Sequence, residues 1–171
     1  MISSGPREIG DGTVRLREVT AADSEDLYRW RMDDASRPMF RSPGKVSTEE
    51  HRAFLSRYFE PGNTDRWFVI VAESEPVGAI ALYGLSDDGN EAEWGRLVVA
   101  PERRGRGYGR RALELLIEHA RRMGIRRLRC EVLEGNAAAE SIYRDAGFVE
   151  TGRSAIGDRI FRSLSRRLDP V

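Results

Sequence analysis

Residues 97–111 read Leu97-Val-Val-Ala-Pro-Glu-Arg-Arg-Gly-Arg-Gly-Tyr-Gly-Arg-Arg111, an apolar run that ends at Pro101 and gives way to glycines alternating with arginine and tyrosine. Glycine lets a backbone turn tightly and come close to a ligand, because no Cβ stands between them. Successive N–H groups in such a loop, backed by the positive end of a helix that follows at once, form a cradle for phosphate oxygens. Arg103, Arg104, Arg106, Arg110 and Arg111 add guanidinium groups suited to further phosphates. The chemistry expected here is the grip on a diphosphate.

Elimination narrows the kind of diphosphate. A dinucleotide fingerprint requires a glycine where Arg110 stands. A P-loop requires Gly-Lys-Ser/Thr, and the one lysine in the chain is Lys45. What remains is Arg104-x-x-Gly107-x-Gly109. In a chain with 17 glycines and 28 basic residues that spacing carries little weight by itself. Its place between a strand and a helix is what gives it meaning.

The segment resembles the acetyl-CoA signature of the GNAT superfamily of N-acetyltransferases, Gln/Arg-x-x-Gly-x-Gly/Ala. Downstream, Asn136-Ala-Ala-Ala-Glu-Ser-Ile-Tyr143-Arg-Asp-Ala-Gly147-Phe148 is similar to the Asn…Tyr…Gly-Phe segment of the same family, in the expected order and distance. The two motifs span Ala92–Val149, roughly a third of the chain.

The resemblance implies a fold, a cosubstrate and a set of roles. The fold is α/β (α+β), a mixed, mostly antiparallel central sheet of six to seven strands flanked by about four helices. The cosubstrate is acetyl-CoA, with no metal. Leu97, Val98 and Val99 would pair through their backbone with the pantetheine arm, and Arg104, Gly105, Arg106, Gly107, Tyr108, Gly109 and Arg110 would hold the diphosphate. Asn136 is either the N-cap of an alanine-rich helix or a hydrogen-bonding partner of the pantetheine arm, and one residue can be both.

Acetyl transfer to an amine needs a deprotonated nitrogen, a polarised thioester carbonyl and a proton for the departing thiolate. Tyr143 is the expected general acid, since a phenol with a pKa of about 10 is protonated at neutral pH; without the motif it would read as an aromatic packed on the sheet. Glu91 and Glu93 share one face of a strand while Trp94 points to the other. Glu93 is the candidate base, acting directly or through water. Trp30, Arg31, Phe40, Tyr83 and Trp94 are candidate acceptor-site residues, with Arg37 and Arg41 as anion binders and His51 at the border of the acceptor pocket. Cys130 reads as a small buried side chain and His119 as structural. The two histidines and one cysteine lack metal-ligand spacing.

Positioning these groups requires alternating elements. Thr13–Glu18 alternates apolar and polar residues as a half-buried strand does. Thr20-Ala-Ala-Asp23 starts a helix that carries Leu27 and Trp30, and Ser47-x-x-Glu50 is a capping box that opens a second. Trp67–Glu73 and Val77–Tyr83 read as a hairpin joined at Ser74-Glu75-Pro76, followed by a long strand Glu91–Val99. Arg110–Met123 is a helix with Leu113, Leu116, Ile117 and Ala120 on one side and Gly124 closing it. A strand Arg126–Val132, a helix Ala137–Ala146 and a final strand pair, Phe148–Gly152 and Asp158–Leu164, complete the reading.

A chain of 171 residues suits one domain, here 13–171, preceded by a flexible lead-in over 1–12. Formal net charge is zero, which disfavours a general nucleic-acid or membrane-surface binder. One cysteine excludes an internal disulfide and fits a cytoplasmic protein. No apolar run approaches a membrane span. The expected partner is a small-molecule amine, an amino sugar among the candidates, acetylated by a monomer or homodimer. The alternatives are a peptide α-amine or lysine acceptor, and a non-catalytic acyl-CoA-binding module.

Overall fold

A computed structural model of the chain describes residues 8–10 and 12–171. Eight strands form a single sheet in the order β1-β2-β3-β4-β5-β6-β8-β7. They are β1 Glu8–Gly10, β2 Val14–Glu18, β3 Arg66–Ala72, β4 Glu75–Tyr83, β5 Glu91–Val99, β6 Arg127–Leu133, β7 Val149–Ile156 and β8 Arg159–Arg167. Four α-helices accompany them among the described residues: α1 Ser24–Met32, α2 Thr48–Tyr58, α3 Tyr108–Arg122 and α4 Ala137–Asp145. All neighbouring strands run antiparallel except β5 and β6, which are parallel.

The sheet exceeds the expected six to seven strands. The additional strand, β1, falls inside the segment expected to be a flexible lead-in; residues 1–7 and 11 of that segment lie outside the described residues. Three residues are too few to show periodicity. Ile9 nevertheless buries its side chain, pairs with Leu16, and sits in register with a Glu8–Arg15 salt bridge. The strand exists because its neighbour supplies the apolar partner.

Each face of the sheet has its own core. On one face α3 lays down Ala112, Leu113, Leu116, Ile117 and Ala120 against Leu16, Phe68, Ile80, Trp94 and Leu128, joined by Tyr143 and Phe148. On the other, α1 and α2 bring Leu27, Trp30 and Leu55 against Trp67, Val69, Ala79 and Ala81. Burial on both faces explains why β3 and β4 read as nearly continuous apolar runs rather than alternating ones. The capping box of α2 is formed as expected, with the Glu50 N–H donating to Ser47 Oγ at 3.1 Å and the Ser47 N–H donating to Glu50 Oε2 at 2.7 Å. Gly124 closes α3 in the left-handed region, φ +86°.

The β3–β4 hairpin turns at Glu73-Ser74, one residue earlier than expected, and both residues have positive φ, 52° and 65°. Such a pair without glycine persists only where its surroundings hold it. Here Tyr108 donates its hydroxyl to Glu73 Oε1 at 2.9 Å, and Arg103 bonds to both Glu73 and Glu75. The turn is thereby strapped to the glycine-rich loop.

Candidate active site

Strands β5 and β6 begin as neighbours and then part. Their ladder consists of Glu91↔Arg127, Ala92↔Leu128 and Glu93↔Arg129, and it stops there. From Trp94 onward the edge of β5 that faced β6 has no strand partner, while its other edge stays paired to β4 as far as Val99. The cause is local. Gly95 pairs with Ala81 and Val98 with Ala79, so Arg96 and Leu97 together oppose the single residue Ile80. Arg96 takes a left-handed φ of 51° to accommodate the extra residue. A bulge of this kind bends and twists its strand, which opens a wedge between β5 and β6. Gly78, opposite the bulge, has no room for a side chain: a Cβ there would lie 2.2 Å from the Val98 carbonyl oxygen.

At the far end of the wedge the glycine-rich loop leads into α3. Gly105 and Gly107 have φ of +76° and +81°, and nothing lies within 4 Å of where a Cβ would stand on either. Glycine is thus required at these two places for backbone conformation and not for crowding. Gly107 is the N-cap of α3, so the N–H groups of the first turn, from Tyr108 onward, have no helical acceptor and point out of the helix end. The end of a 15-residue helix with three free amides carries partial positive charge. A diphosphate fits this place, and the unpaired edge of β5 fits the amide-bearing arm that a coenzyme A molecule extends from it.

The expected cofactor residues meet here by different routes. Leu97 lies in the bulge and Val98 just after it, packed toward opposite cores, and Val99 lies beneath Gly109. Arg106 is exposed and makes no hydrogen bond or salt bridge among the described residues. The Arg104 side chain turns the other way. It donates to the Val99 carbonyl at 3.1 Å and to Asp33 Oδ2 at 2.8 Å, with Ser36 Oγ as a further acceptor. That hydrogen bond holds the Asp33 carboxyl below the usual carboxylate range. Tyr108 commits its hydroxyl to Glu73, leaving its backbone N–H for an anion. Arg110 pairs with Asp145 of α4 at 2.9 Å. Asn136 is the N-cap of α4, its side-chain oxygen accepting from the Ala139 N–H at 3.3 Å.

Tyr143 projects from α4 against Trp94, ring centroids 4.7 Å apart and nearly perpendicular. The Gly-Phe of the second motif fixes this placement. Gly147 ends α4 with φ +83°, the Phe148 N–H returns to the Tyr143 carbonyl at 3.0 Å, and the Phe148 ring packs 5.7 Å from Trp94. Burial pushes the Tyr143 phenol well above its ordinary pKa, with Cys130 and Tyr83 adding to the shift. Its hydroxyl makes no hydrogen bond among the described residues, and the raised pKa keeps it protonated. Cys130 is 5% exposed, and burial, followed by Glu131 and Glu93, raises its thiol pKa strongly. A thiol so held stays protonated and is a poor nucleophile.

Glu93 occupies the last rung before the split, on the face opposite Trp94, with Arg129 3.7 Å away. Tyr83 lies beside it, paired in register across β4–β5. The other acceptor-site candidates divide. Trp30 and Trp94 are each 1% exposed and belong to the two cores, so neither wall of an open acceptor site is made by them. Arg31 stacks over Phe40 at 4.8 Å and donates to the Ser42 carbonyl, which makes both part of the architecture of the α1–α2 loop. His51 is buried between α1 and α2, its Nε2 2.9 Å from the Ser24 carbonyl and its ring 5.2 Å from Tyr28. His119 is buried edge-on to Phe68.

The α1–α2 loop, residues 33–46, roofs the face on which Glu93 and Tyr83 stand, and arginines pin it. Arg159 of β8 bonds to the carbonyls of Pro38, Phe40 and Arg41, and Arg41 pairs with Glu131 of β6. Arg104 holds its start through Asp33. Sequence reasoning singled out neither Arg159 nor Arg96; in a chain so rich in arginine no local signal marks which guanidinium groups bind across the fold. A glycine inside a strand, Gly95, was the available sign of an irregularity.

Residues 24–148 match the Acetyltransferase (GNAT) family. The peptidyl-lysine N-acetyltransferase YjaB of Salmonella typhimurium is 34% identical over 147 residues, covering 85% of this chain and 90% of its own length. The Escherichia coli protein of the same name is 30% identical over 85% of this chain and 88% of its own. Among solved structures, spermidine N-acetyltransferase from Vibrio cholerae in complex with CoA and spermine superimposes with a TM-score of 0.81 at 19% identity, covering 92% of this chain and 96% of that one. The ribosomal L7/L12 α-N-protein acetyltransferase RimL, in complex with coenzyme A, gives 0.79, also at 19% identity, over 93% and 96%. With a wedge between parallel strands, an open glycine-capped helix end behind it and a family match over most of its length, the chain belongs to the GNAT acetyltransferase family, and acetyl-CoA is its cosubstrate.

Proposed function

We propose that the protein transfers the acetyl group of acetyl-CoA directly to a primary aliphatic amine held in the same complex. The observation that carries this reading is the split of β5 from β6 immediately after Glu93. It leaves an unpaired backbone edge with Glu93 at its start on one face and, on the other, Trp94 with the protonated Tyr143 phenol packed against it. Leu97, Val98 and Val99 would hold the amide-bearing arm by backbone pairing, and the first-turn amides of α3, with Gly105 and Gly107, the diphosphate. A peptide N–H freed at the bulge would polarise the thioester carbonyl. Glu93, reached through water, would take the proton of the incoming ammonium, and Tyr143 would give one to the departing thiolate.

The first acceptor reading is a small-molecule amine, because the pinned α1–α2 loop narrows the approach to Glu93 and Tyr83. A second is a lysine side chain, supported by the 34% identity to a peptidyl-lysine N-acetyltransferase. A polyamine and a lysine side chain both present a primary amine on a slender alkyl stem. Thiol release measured with acetyl-CoA against a panel of polyamines, amino sugars and lysine peptides tests the reading. Transfer to at least one amine class is expected; none at all, with the coenzyme bound, would leave an acyl-CoA-binding module. A kcat/KM profile for Glu93→Gln is expected to lose its rising acidic limb, and a retained limb removes Glu93 from the reaction.

A further inference from the structure

The bulge that opens the wedge also builds something on the acceptor face that the reaction above does not use. Gly95 and Arg96 both face that side, and both meet Tyr83. A Cβ on Gly95 would lie 2.6 Å from the Tyr83 hydroxyl oxygen and 3.4 Å from its ring carbon, so the phenol rests directly on bare backbone. Arg96 lies over the same ring, 4.6 Å from guanidinium to centroid. It is itself enclosed by Phe54 at 5.0 Å and Trp67 at 5.8 Å, with Asp65 at 3.9 Å. A guanidinium shared among three aromatic faces holds each ring against rotation. The hydroxyl it steadies sits two residues past the last β5–β6 rung, at the apex of the split, and donates to no group among the described residues. Arg96 adopts a left-handed φ that arginine rarely takes, and strain of this sort is kept where the surrounding contacts impose it.

We infer that Tyr83 is the residue that orients the acceptor amine, and that Gly95 and Arg96 are its positioning residues. This rests on the acetyl transfer proposed above. The phenol oxygen accepts a hydrogen bond from one N–H of the neutral amine, which leaves the nitrogen lone pair to face the thioester carbonyl. No proton changes hands at Tyr83; burial keeps that phenol protonated, against the pull of Arg96. Gly95 is needed because any side chain would occupy the place of the hydroxyl, and Arg96 because an unstacked ring would swing away from the split.

A double-substitution cycle on the whole chain tests this. Tyr83→Phe is expected to lower kcat/KM for the acceptor about tenfold, the cost of one hydrogen bond to a reacting group, with the acetyl-CoA dissociation constant measured by calorimetry unchanged. Gly95→Ala is expected to cause a similar loss. Combined, the two should be no worse than Tyr83→Phe alone within about twofold, because the alanine displaces a hydroxyl that is no longer there. Arg96→Met should raise the acceptor KM several-fold while Arg96→Lys restores part of it. Thermal melting of each variant reports folding. Multiplying losses in the double variant, or an unchanged acceptor kcat/KM in Tyr83→Phe, overturns the role of Tyr83 alone. Absence of transfer by the unsubstituted protein overturns the underlying reaction and this inference with it.

Discussion

The two sides of the β5–β6 wedge are built from different materials. On the coenzyme side, the proposed binding surface is backbone: the free edge of β5, the amides at the start of α3, and two glycines whose conformation aims them. On the proposed acceptor side it is side chains: Tyr83 under Arg96, Glu93 beside Arg129, and a loop pinned by Arg159, Arg41 and Arg104. Backbone sites depend on where glycine and helix boundaries fall, and many sequences can satisfy them. Side-chain sites depend on which residue of one element meets which of another. The first kind marks a family, and the second distinguishes its members.

Substitutions can break this contrast in order of effect. Tyr143→Phe removes the proposed proton donor, and kcat should fall by about a hundredfold or more while acetyl-CoA affinity stays as it was. Steady-state kinetics beside calorimetry would check both halves. Gly107→Val forces a branched residue into φ +81° at the head of α3. It should weaken acetyl-CoA binding by about tenfold, the equivalent of the ~1–2 kcal/mol that left-handed backbone costs, and spare the acceptor KM of saturated enzyme. Arg159→Ala frees the α1–α2 loop from β8. The acceptor KM should rise by about fivefold, as loss of roughly one net hydrogen bond implies, with acetyl-CoA affinity unmoved.

The smallest effect concerns a contact between the glycine-rich loop and the α1–α2 loop, Arg104 with Asp33. Asp33 is held below the usual carboxylate range chiefly by the hydrogen bond from Arg104. A carboxyl whose pKa is depressed on folding contributes stability above its unfolded pKa of about 4, and loses it as pH falls through the lower, folded value. Asp33→Asn should therefore abolish a shallow acid limb in a plot of Tm against pH, worth less than about 1 kcal/mol because the pair is partly exposed. A simultaneous change in acceptor KM and acetyl-CoA affinity in this variant would show that the sides communicate through Arg104. Two independent responses would show that they do not.

Much of the fold was legible without coordinates because its signals are periodic or stereochemical. The capping box at Ser47-Glu50, the apolar stripe of α3 and the glycine that closes it all arose where expected, since each depends on residues within two turns of one another. β1 was missed because three residues show no periodicity and its place comes from pairing with β2 and packing on α3. The hairpin turn at Glu73-Ser74 was displaced because Tyr108 and Arg103, thirty residues on, hold it there. Among the site residues, Trp30 and Trp94 illustrate the limit from the other side. Aromatic composition could place them in an acceptor pocket, but the cores of the two sheet faces claimed both.

What the sequence by itself determined is the proposed coenzyme half: Arg104-x-x-Gly107-x-Gly109 between strand and helix, and the short helix that carries Tyr143 from the Asn136 cap to the Gly147 turn. These are consequences of local backbone conformation, which nearest neighbours in the chain dictate. Only the tertiary structure decided the acceptor half. Arg96 chose Tyr83, Phe54 and Trp67 from three separate elements, and Arg159 reached back 119 residues to Phe40. In a chain with 28 basic residues, which guanidinium meets which ring or carbonyl is a property of packing, and packing exists only once the sheet has assembled.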